Sequence, residues 1–170
     1  MSLRTLSFAA LAALSLLVAA PVAHASVKAG DRFVELDGAK TADGKTFTLK
    51  TMTGRWVIYS FGASWCAPCH KELPAWDKLA PRYANKALFV AVNINNDAGE
   101  GKAFVRSLGL EHMLAVYLPA DSSKALTQYD PDHMPSTFVI DPDGVVRFVA
   151  YGYTKGDEGK LASKLDGLVK

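Results

Sequence analysis

The chain has 170 residues, of which 49% are hydrophobic, and its 19 basic and 17 acidic side chains leave a formal net charge of +2. This near balance gives no reason to expect binding to nucleic acid or to an anionic membrane surface, because both favour clearly basic proteins. With only two cysteines, the chain is also unlike the small exported domains that several disulfides hold together.

The first 25 residues have the pattern of a secretory signal peptide. A basic start is followed by an apolar stretch from Leu6 to Val18 and by a small-x-small cleavage site, Ala23-His24-Ala25. A transmembrane anchor is the alternative, because the apolar stretch nearly reaches the length that crosses a bilayer. Since the cleavage site favours processing, we expect residues 1–25 to be a signal peptide and residues 26–170 to form one exported domain.

The rest of the chain alternates short apolar runs with segments of helical periodicity, which is typical of an α/β domain. Asp43-Gly44 supplies turn chemistry between the first two predicted strands, so we expect an N-terminal hairpin. A second hairpin is predicted around Pro142–Gly144, and it makes the sheet mixed. The predicted strands are residues 33–36, 46–49, 56–61, 87–95, 114–118, 135–141 and 145–151, and the predicted helices are residues 68–84, 101–108, 122–129 and 159–169.

Both cysteines lie where a buried strand ends and a helix begins, in the segment Trp65-Cys66-Ala67-Pro68-Cys69. A helix N-terminus carries unpaired N–H groups and a partial positive charge, which favour thiolate over thiol. A thiolate attacks disulfides, and a second thiol three residues on can resolve the mixed disulfide. We therefore predict Cys66 as the exposed nucleophile and Cys69 as the shielded resolving thiol. A purely structural disulfide is the weaker interpretation, because so short a ring constrains little of the unfolded chain.

This segment resembles the active site of thioredoxin, and the downstream block from Met134 to Gly144 resembles the cis-proline strand and hairpin of that fold. Together with the signal-like start, the expected N-terminal hairpin and Glu72-Leu73-Pro74, the chain is similar to the TlpA-like or ResA-like thiol-disulfide reductases of the bacterial envelope. The resemblance covers about residues 30–170. It implies a thioredoxin-like fold, with a central mixed β-sheet flanked by helices and an extra N-terminal β-hairpin.

The resemblance also implies how a substrate docks. It predicts a cis bond between Met134 and Pro135 that stands against the two sulfurs, with the backbone before the proline pairing with an extended substrate segment. A proline that merely starts a strand is the alternative. Trp65 and Pro68, beside the cysteines, complete the predicted substrate-binding residues.

Several positions depart from, or refine, the family pattern. Ser60 stands where thioredoxins carry a buried aspartate, and it cannot act as a base. Glu72 matches a glutamate near the site of the envelope reductases, and we expect it to assist proton transfer at Cys69, a solvated helix-face carboxylate being the alternative. Gly62 replaces a frequent aromatic residue, which predicts looser packing behind the turn. Residues 129–136 lack the Gly-Val-x-Gly-x-Pro-Glu block of the cytochrome-maturation branch, so a less specialised role is favoured.

Two other kinds of site remain open. Cys66-Ala67-Pro68-Cys69-His70 is formally the attachment motif of c-type haem, although a small cytochrome wraps its haem with helices rather than with a sheet domain. Two thiolates with His133 and Met134 would suit Cu(I), but thioredoxin-like copper-delivery proteins use a C-x-x-x-C spacing. Zinc would need two further ligands. We therefore expect neither a metal nor a cofactor.

These residues predict a periplasmic, monomeric thiol-disulfide oxidoreductase that acts on protein disulfides. Cys66 would attack the substrate, Cys69 would release it, and an upstream reductant such as a membrane thiol-disulfide transporter would reduce the pair again. Ala67 and Pro68 place no charge beside the sulfurs. Because a strongly stabilised thiolate makes an oxidant, their absence of charge favours a reductant.

Overall fold

The structure is a computed structural model that describes residues 26–52, 54–119, 125–129 and 133–170. The predicted signal peptide, residues 1–25, lies outside the described residues, as does the first part of the helix predicted at 122–129. Within the described ranges, no helix combines the length and the apolar character needed to cross a membrane.

A mixed sheet of six strands forms the centre of the domain. The strands are β1 (Lys40–Thr41), β2 (Trp56–Gly62), β3 (Ala87–Asn93), β4 (Leu114–Tyr117), β5 (Ser136–Ile140) and β6 (Val146–Tyr151). Their order across the sheet is β1-β4-β3-β2-β5-β6. β2 pairs in parallel with β3 and antiparallel with β5, and the late hairpin predicted from the sequence is formed by β5 and β6. The predicted α/β class with a mixed sheet is therefore confirmed.

Among the described residues, four α-helices accompany the sheet: α1 (Cys69–Leu79), α2 (Ala98–Leu108), α3 (Leu126–Tyr129) and α4 (Asp157–Leu168). α1 is shorter than predicted, and the chain continues as a 3-10 helix over Ala80–Tyr83. Pro81 lacks the N–H that a further α-helical turn would use. α2 ends at Gly109 as predicted, because glycine takes the left-handed conformation, φ 61°, that closes the helix.

The two faces of β2 bury different layers of the core, because successive side chains of a strand point to opposite faces. Tyr59 and Phe61 pack with Tyr129 of α3 on one face. Ile58 lies on the other face, in the layer that contains Cys69 of α1. Burial on both faces explains why this strand reads as an almost continuous apolar run, and it brings α1 and its cysteine against the end of β2.

The N-terminal hairpin is not formed as predicted. The tight turn at Asp43-Gly44 is present, with the Gly44 N–H donating to the Thr41 carbonyl at 2.9 Å. Residues 33–36 contain no strand, however, and β1 pairs with β4, meeting Thr46 only in an isolated bridge. Side chains take the place of a strand partner: the Tyr129 hydroxyl accepts the Val34 N–H at 2.8 Å and also donates to the Val34 carbonyl.

Candidate active site

The turn between β2 and α1 carries the outer cysteine. The Cys66 N–H donates to the Ala63 carbonyl at 3.1 Å, which closes the turn, and the Cys69 N–H donates to the Cys66 carbonyl at 3.0 Å. Pro68 precedes the first residue of α1 with φ −65°, a value already suited to a helix. The chain therefore delivers Cys66 to the N-terminal end of α1 and Cys69 to its first turn.

Cys66 and Cys69 are joined by a disulfide, with their Cα atoms 5.3 Å apart. Cys66 keeps 5% of its surface exposed, whereas Cys69 keeps none. The Cys69 Sγ lies 3.9 Å from the carbonyl oxygen of Phe61, at the end of β2. The order of exposure agrees with the sequence analysis, although Cys66 is itself mostly covered and "exposed" is too strong a description of it.

Gly62 allows α1 to pack closely against the end of β2. A Cβ atom at this position would lie 2.8 Å from the Leu73 Cδ1 atom and 3.6 Å from the Cys69 Cβ atom. The first of these distances is a steric clash. The expectation that Gly62 loosens the packing behind the turn is therefore wrong, because here the missing side chain makes room for Leu73.

Glu72 is buried beside this turn, with no exposed surface. The Ser60 hydroxyl donates to its Oε2 atom at 2.5 Å, and the Thr137 hydroxyl donates to its Oε1 atom at 2.8 Å. The Trp76 Nε1–H donates in turn to the Thr137 hydroxyl at 2.9 Å. Burial raises the pKa of the Glu72 carboxyl to about 7, and these hydrogen bonds lower it in part. The alternative of a solvated helix-face carboxylate is wrong.

The Met134–Pro135 peptide bond is cis, as the family resemblance implied. It directly precedes β5, whose first residue, Ser136, pairs with Phe61 at the end of β2. Met134 packs against the hydrophobic layer that contains both cysteines. The cis-proline segment and the disulfide turn therefore lie at the same end of the sheet. Pro135 is buried, and Met134 is half-buried.

Two large apolar side chains are exposed at this end of the sheet. Trp65 exposes 66% of its surface, and Tyr151, at the end of β6, exposes 45%. Ala67 and Pro68 are exposed as well. Large exposed apolar side chains beside a reactive group are typical of a contact surface for another protein. Tyr151 was not predicted from the sequence, where it is only the last residue of the strand predicted at 145–151.

A polar cluster behind the turn was also missed by the sequence analysis. Asn93 and Asn95 are 3% and 4% exposed, and the Asn95 side chain holds both the N–H and the hydroxyl of Ser64. His70, which belongs to the formal haem-attachment motif, places its Nε2 atom 3.0 Å from the Ser64 carbonyl oxygen. The one available signal was a pair of asparagines that ends an otherwise apolar strand.

The structure bears on both alternative sites. A haem bonded to both sulfurs would have to reach Cys69, which has no exposed surface and packs against Gly62. The copper alternative would bring His133 and Met134 to the two cysteines. In the part of the chain that the structure describes, no three His, Cys, Asp or Glu side chains converge to hold a metal ion, and the His133 ring lies 5.6 Å from that of Tyr151.

The polar cluster around Asn93 and Asn95 leaves no room for a side chain at Gly101 of α2. A Cβ atom at Gly101 would lie 2.3 Å from the Asn93 Oδ1 atom, so Gly101→Ala must displace either the helix or the amide. We expect the free energy of unfolding, measured by urea denaturation, to fall by about 1–3 kcal/mol. Gly159→Ala in α4 is the matched control, because its Cβ atom meets nothing within 4 Å; this substitution should leave stability unchanged or raise it. Equal losses in both variants would contradict the prediction.

The sequence of the chain is similar to those of known proteins. Residues 29–149 match the AhpC/TSA family. The thioredoxin-like protein YneN of Bacillus subtilis is 32% identical over 127 residues, which are 75% of this chain and 73% of that protein. The thiol-disulfide oxidoreductase ResA of the same organism is 32% identical over 111 residues, 65% of this chain but only 60% of ResA.

A solved structure extends the comparison to the fold. A candidate DsbE thiol:disulfide interchange protein from Chlorobium tepidum superposes with a TM-score of 0.76 at 25% identity, covering 85% of this chain and 100% of the other. In the present chain the disulfide lies at the turn between β2 and α1, with Cys66 at the surface end. The chain therefore belongs to the AhpC/TSA family, and it is a thioredoxin-like thiol-disulfide oxidoreductase.

Proposed function

We propose that the protein is a reductant that transfers electrons to disulfides of other proteins in the periplasm. The observation that carries the roles of the two cysteines is their unequal exposure, 5% for Cys66 and none for Cys69. Only the outer sulfur can meet a disulfide of another protein, while the inner one can reach its neighbour. Cys66 is therefore the attacking residue, and Cys69 resolves the mixed disulfide.

The exchange takes two steps. The Cys66 thiolate attacks one sulfur of the substrate disulfide, and the other substrate sulfur leaves as a thiolate and takes up a proton. Cys69 then gives up its thiol proton and attacks the Cys66 sulfur, which releases the second substrate sulfur as a thiolate. The Cys66–Cys69 disulfide forms, and two electrons have passed to the substrate.

Glu72 is the proposed acceptor of the Cys69 proton. The two residues are three positions apart on α1, so they share one face of the helix. Because burial raises the pKa of the Glu72 carboxyl to about 7, both of its protonation states are accessible near neutral pH, as a proton-transfer group requires. Hydrogen bonds from Ser60 and Thr137 fix the orientation of the carboxyl.

The surroundings of Cys66 favour a reductant. The N-terminal end of α1 favours its thiolate moderately, as at any helix N-terminus. Between the cysteines lie only Ala67 and Pro68, which add no charge. A strongly oxidising pair depends on a reduced form that is stabilised much further, and nothing at these two positions supplies that stabilisation.

Protein substrates are proposed to dock at Trp65, Pro68 and Met134 and at the backbone that leads into the buried Pro135. The exposed indole and pyrrolidine flank Cys66 and offer apolar contact area. An extended substrate segment would pair with the backbone just before Pro135, in the manner of an added strand. No charged side chain belongs to this set, so we expect substrates to be recognised mainly by shape and backbone hydrogen bonds.

We also propose that residues 1–25 are a cleaved signal peptide and that the remaining chain works as a periplasmic monomer. The small-x-small site before Ser26 supports export. A structural neighbour with a TM-score of 0.61 and 25% identity is an exposed lipoprotein thioredoxin of Streptococcus pneumoniae, Etrx1. The oxidised pair would be reduced again by an upstream partner, such as a membrane thiol-disulfide transporter.

The reduction potential tests this proposal. Equilibration of the purified protein with glutathione buffers should give a single two-electron couple near the thioredoxin value of about −270 mV. A potential close to that of DsbA, about −120 mV, would contradict a reductant while leaving the exchange chemistry intact. A haem Soret band in the absorption spectrum of the same sample would contradict the proposed function altogether.

A further inference from the structure

Every backbone and side-chain polar group of Ser64 is held by a side chain from another part of the fold. Asn95 accepts the Ser64 N–H at 3.0 Å and donates to its hydroxyl oxygen at 2.7 Å. His70 lies 3.0 Å from the Ser64 carbonyl oxygen. Ser64 is one of the two central residues of the turn that the Cys66 N–H closes on Ala63. Fixing Ser64 therefore fixes the turn that carries the outer cysteine.

Asn95 is fully engaged in this contact. Its Oδ1 atom also accepts from the Asn93 Nδ2 atom at 2.9 Å, and its own Nδ2 atom also donates to Glu100 Oε2 at 3.3 Å. An amide side chain offers two donors and two acceptor positions, and all four are used here. A buried amide whose bonds are all made has one favoured orientation, so Asn95 is a rigid support for Ser64.

The support continues into the sheet and into α2. The Asn95 N–H donates to Asn93 Oδ1 at 3.2 Å, and Gly101 of α2 packs against the same amide. Asn95 is therefore anchored to the end of β3 and to the first turn of α2. The turn with Cys66 thus rests on two regular elements, β3 and α2, rather than on its own short loop.

His70 holds Ser64 from α1, the helix that carries Cys69. A carbonyl oxygen only accepts, so the Nε2 atom carries the proton and donates. The edge of the imidazole ring packs on Phe104 of α2, with the ring centres 4.9 Å apart. Because His70 directly follows Cys69 in α1, its bond to Ser64 joins the helix of one cysteine to the turn of the other.

We propose that Asn95 and His70 are positioning residues that keep Cys66 at the N-terminal end of α1 when the disulfide is open. This inference rests on the proposed function of the same site. In the oxidised protein, the disulfide itself fixes the spacing of the two cysteines. After reduction that bond is gone, and the side-chain bonds to Ser64 hold the turn together with the backbone bonds of the Cys66 and Cys69 N–H groups.

Loss of the hydrogen bonds to Ser64 should therefore have its largest effect on the reduced protein. A looser turn would let Cys66 leave the partial positive charge of the helix end, and its thiolate would be less favoured. A reduced form that is less stabilised also shifts the equilibrium with glutathione towards the disulfide. The reactivity of the thiol and its redox equilibrium should change together.

The test compares Asn95→Ala, His70→Ala and His70→Gln with the wild-type protein, with Asn85→Ala and His112→Ala as controls at exposed positions. The reduced proteins are alkylated with iodoacetamide across a pH series. In the two test alanine variants we expect the pH midpoint of Cys66 alkylation to rise by about half a unit, and the glutathione equilibrium to move about threefold towards the disulfide. His70→Gln, whose amide can still donate to the Ser64 carbonyl, should restore most of the wild-type values.

A purely structural role gives a different pattern. It would lower the melting temperatures of the oxidised and reduced forms alike and leave the alkylation midpoint and the glutathione equilibrium at wild-type values, which would overturn the proposal. Should Asn95→Ala fail to fold, the comparison of His70→Ala with His70→Gln, at an exposed position, decides the test alone. Alkylation needs no exchange partner, so the positioning role can fail or hold whether or not the wild-type protein proves to be a reductant.

Discussion

Cys69→Ser should accumulate as a mixed disulfide with its substrates, whereas Cys66→Ser should lose disulfide exchange completely. Without Cys69, the disulfide that Cys66 forms with a substrate has no internal thiol to resolve it, so the complex persists. A serine hydroxyl at position 66 is not a nucleophile toward sulfur at neutral pH. The expected rate for Cys66→Ser is therefore that of the uncatalysed reaction.

The measurement is a non-reducing gel of periplasmic extract that contains each variant, followed by mass spectrometry of the captured bands. Bands that disappear on reduction should be present for Cys69→Ser and absent for the double variant Cys66→Ser/Cys69→Ser, which is the matched control. Capture by Cys66→Ser instead would reverse the two assigned roles. An extract in which neither single variant captures a protein would contradict protein disulfides as the substrates.

Much of the fold follows from patterns within single segments. β2 is an apolar run interrupted only by Ser60 because both of its faces are buried, and the helix after it begins where Pro68 and the small residues before it predict. The position of the cis-proline next to the disulfide turn was available only from the family resemblance. Nothing in the periodicity around Pro135 distinguishes a cis bond from an ordinary strand start.

The errors share a physical cause, which is that the deciding partners lie far away in the sequence. Residues 33–36 look like a strand, but the Tyr129 hydroxyl takes the polar groups of Val34. The sequence around Gly62 predicts loose packing, but Leu73 packs closely against this glycine. Local patterns assign no partner to a backbone group or to a missing side chain, so such choices are settled only by tertiary packing.

The burial of Glu72 also depends on partners that are distant in the sequence. A glutamate in the first turn of a helix is ordinarily solvated and stabilises the helix dipole, and the sequence left that interpretation open. Its burial depends on Ser60 from β2 and Thr137 from β5, which supply hydrogen bonds that water would otherwise make. At the position where thioredoxins carry a buried aspartate, this chain has Ser60. The buried carboxyl is instead that of Glu72 on α1, and Ser60 donates a hydrogen bond to it.

Glu72→Gln should remove a pH dependence from both activity and stability. The folded-state pKa of about 7 lies above the ordinary value of 4.5 for a glutamate side chain, so the folded state binds the Glu72 proton more tightly than the unfolded chain does. The stabilisation that this proton provides is complete below about pH 4.5 and is lost as the pH rises through about 7. Relative to Glu72→Gln, the wild-type protein should therefore lose about 3 kcal/mol of unfolding free energy between about pH 4 and pH 8.

Urea denaturation of the oxidised proteins at the two pH values measures this difference, and Glu111→Gln, which changes an exposed carboxylate, controls for the loss of one negative charge. The same variants separate stability from catalysis. If Glu72 accepts the Cys69 proton, Glu72→Gln should be more stable than the wild-type protein at about pH 8 and yet resolve mixed disulfides about 100-fold more slowly. A Glu72→Gln protein that gains stability and keeps its rate would leave Glu72 a buried structural carboxyl, since a group that only supports packing has no reason to slow the second step.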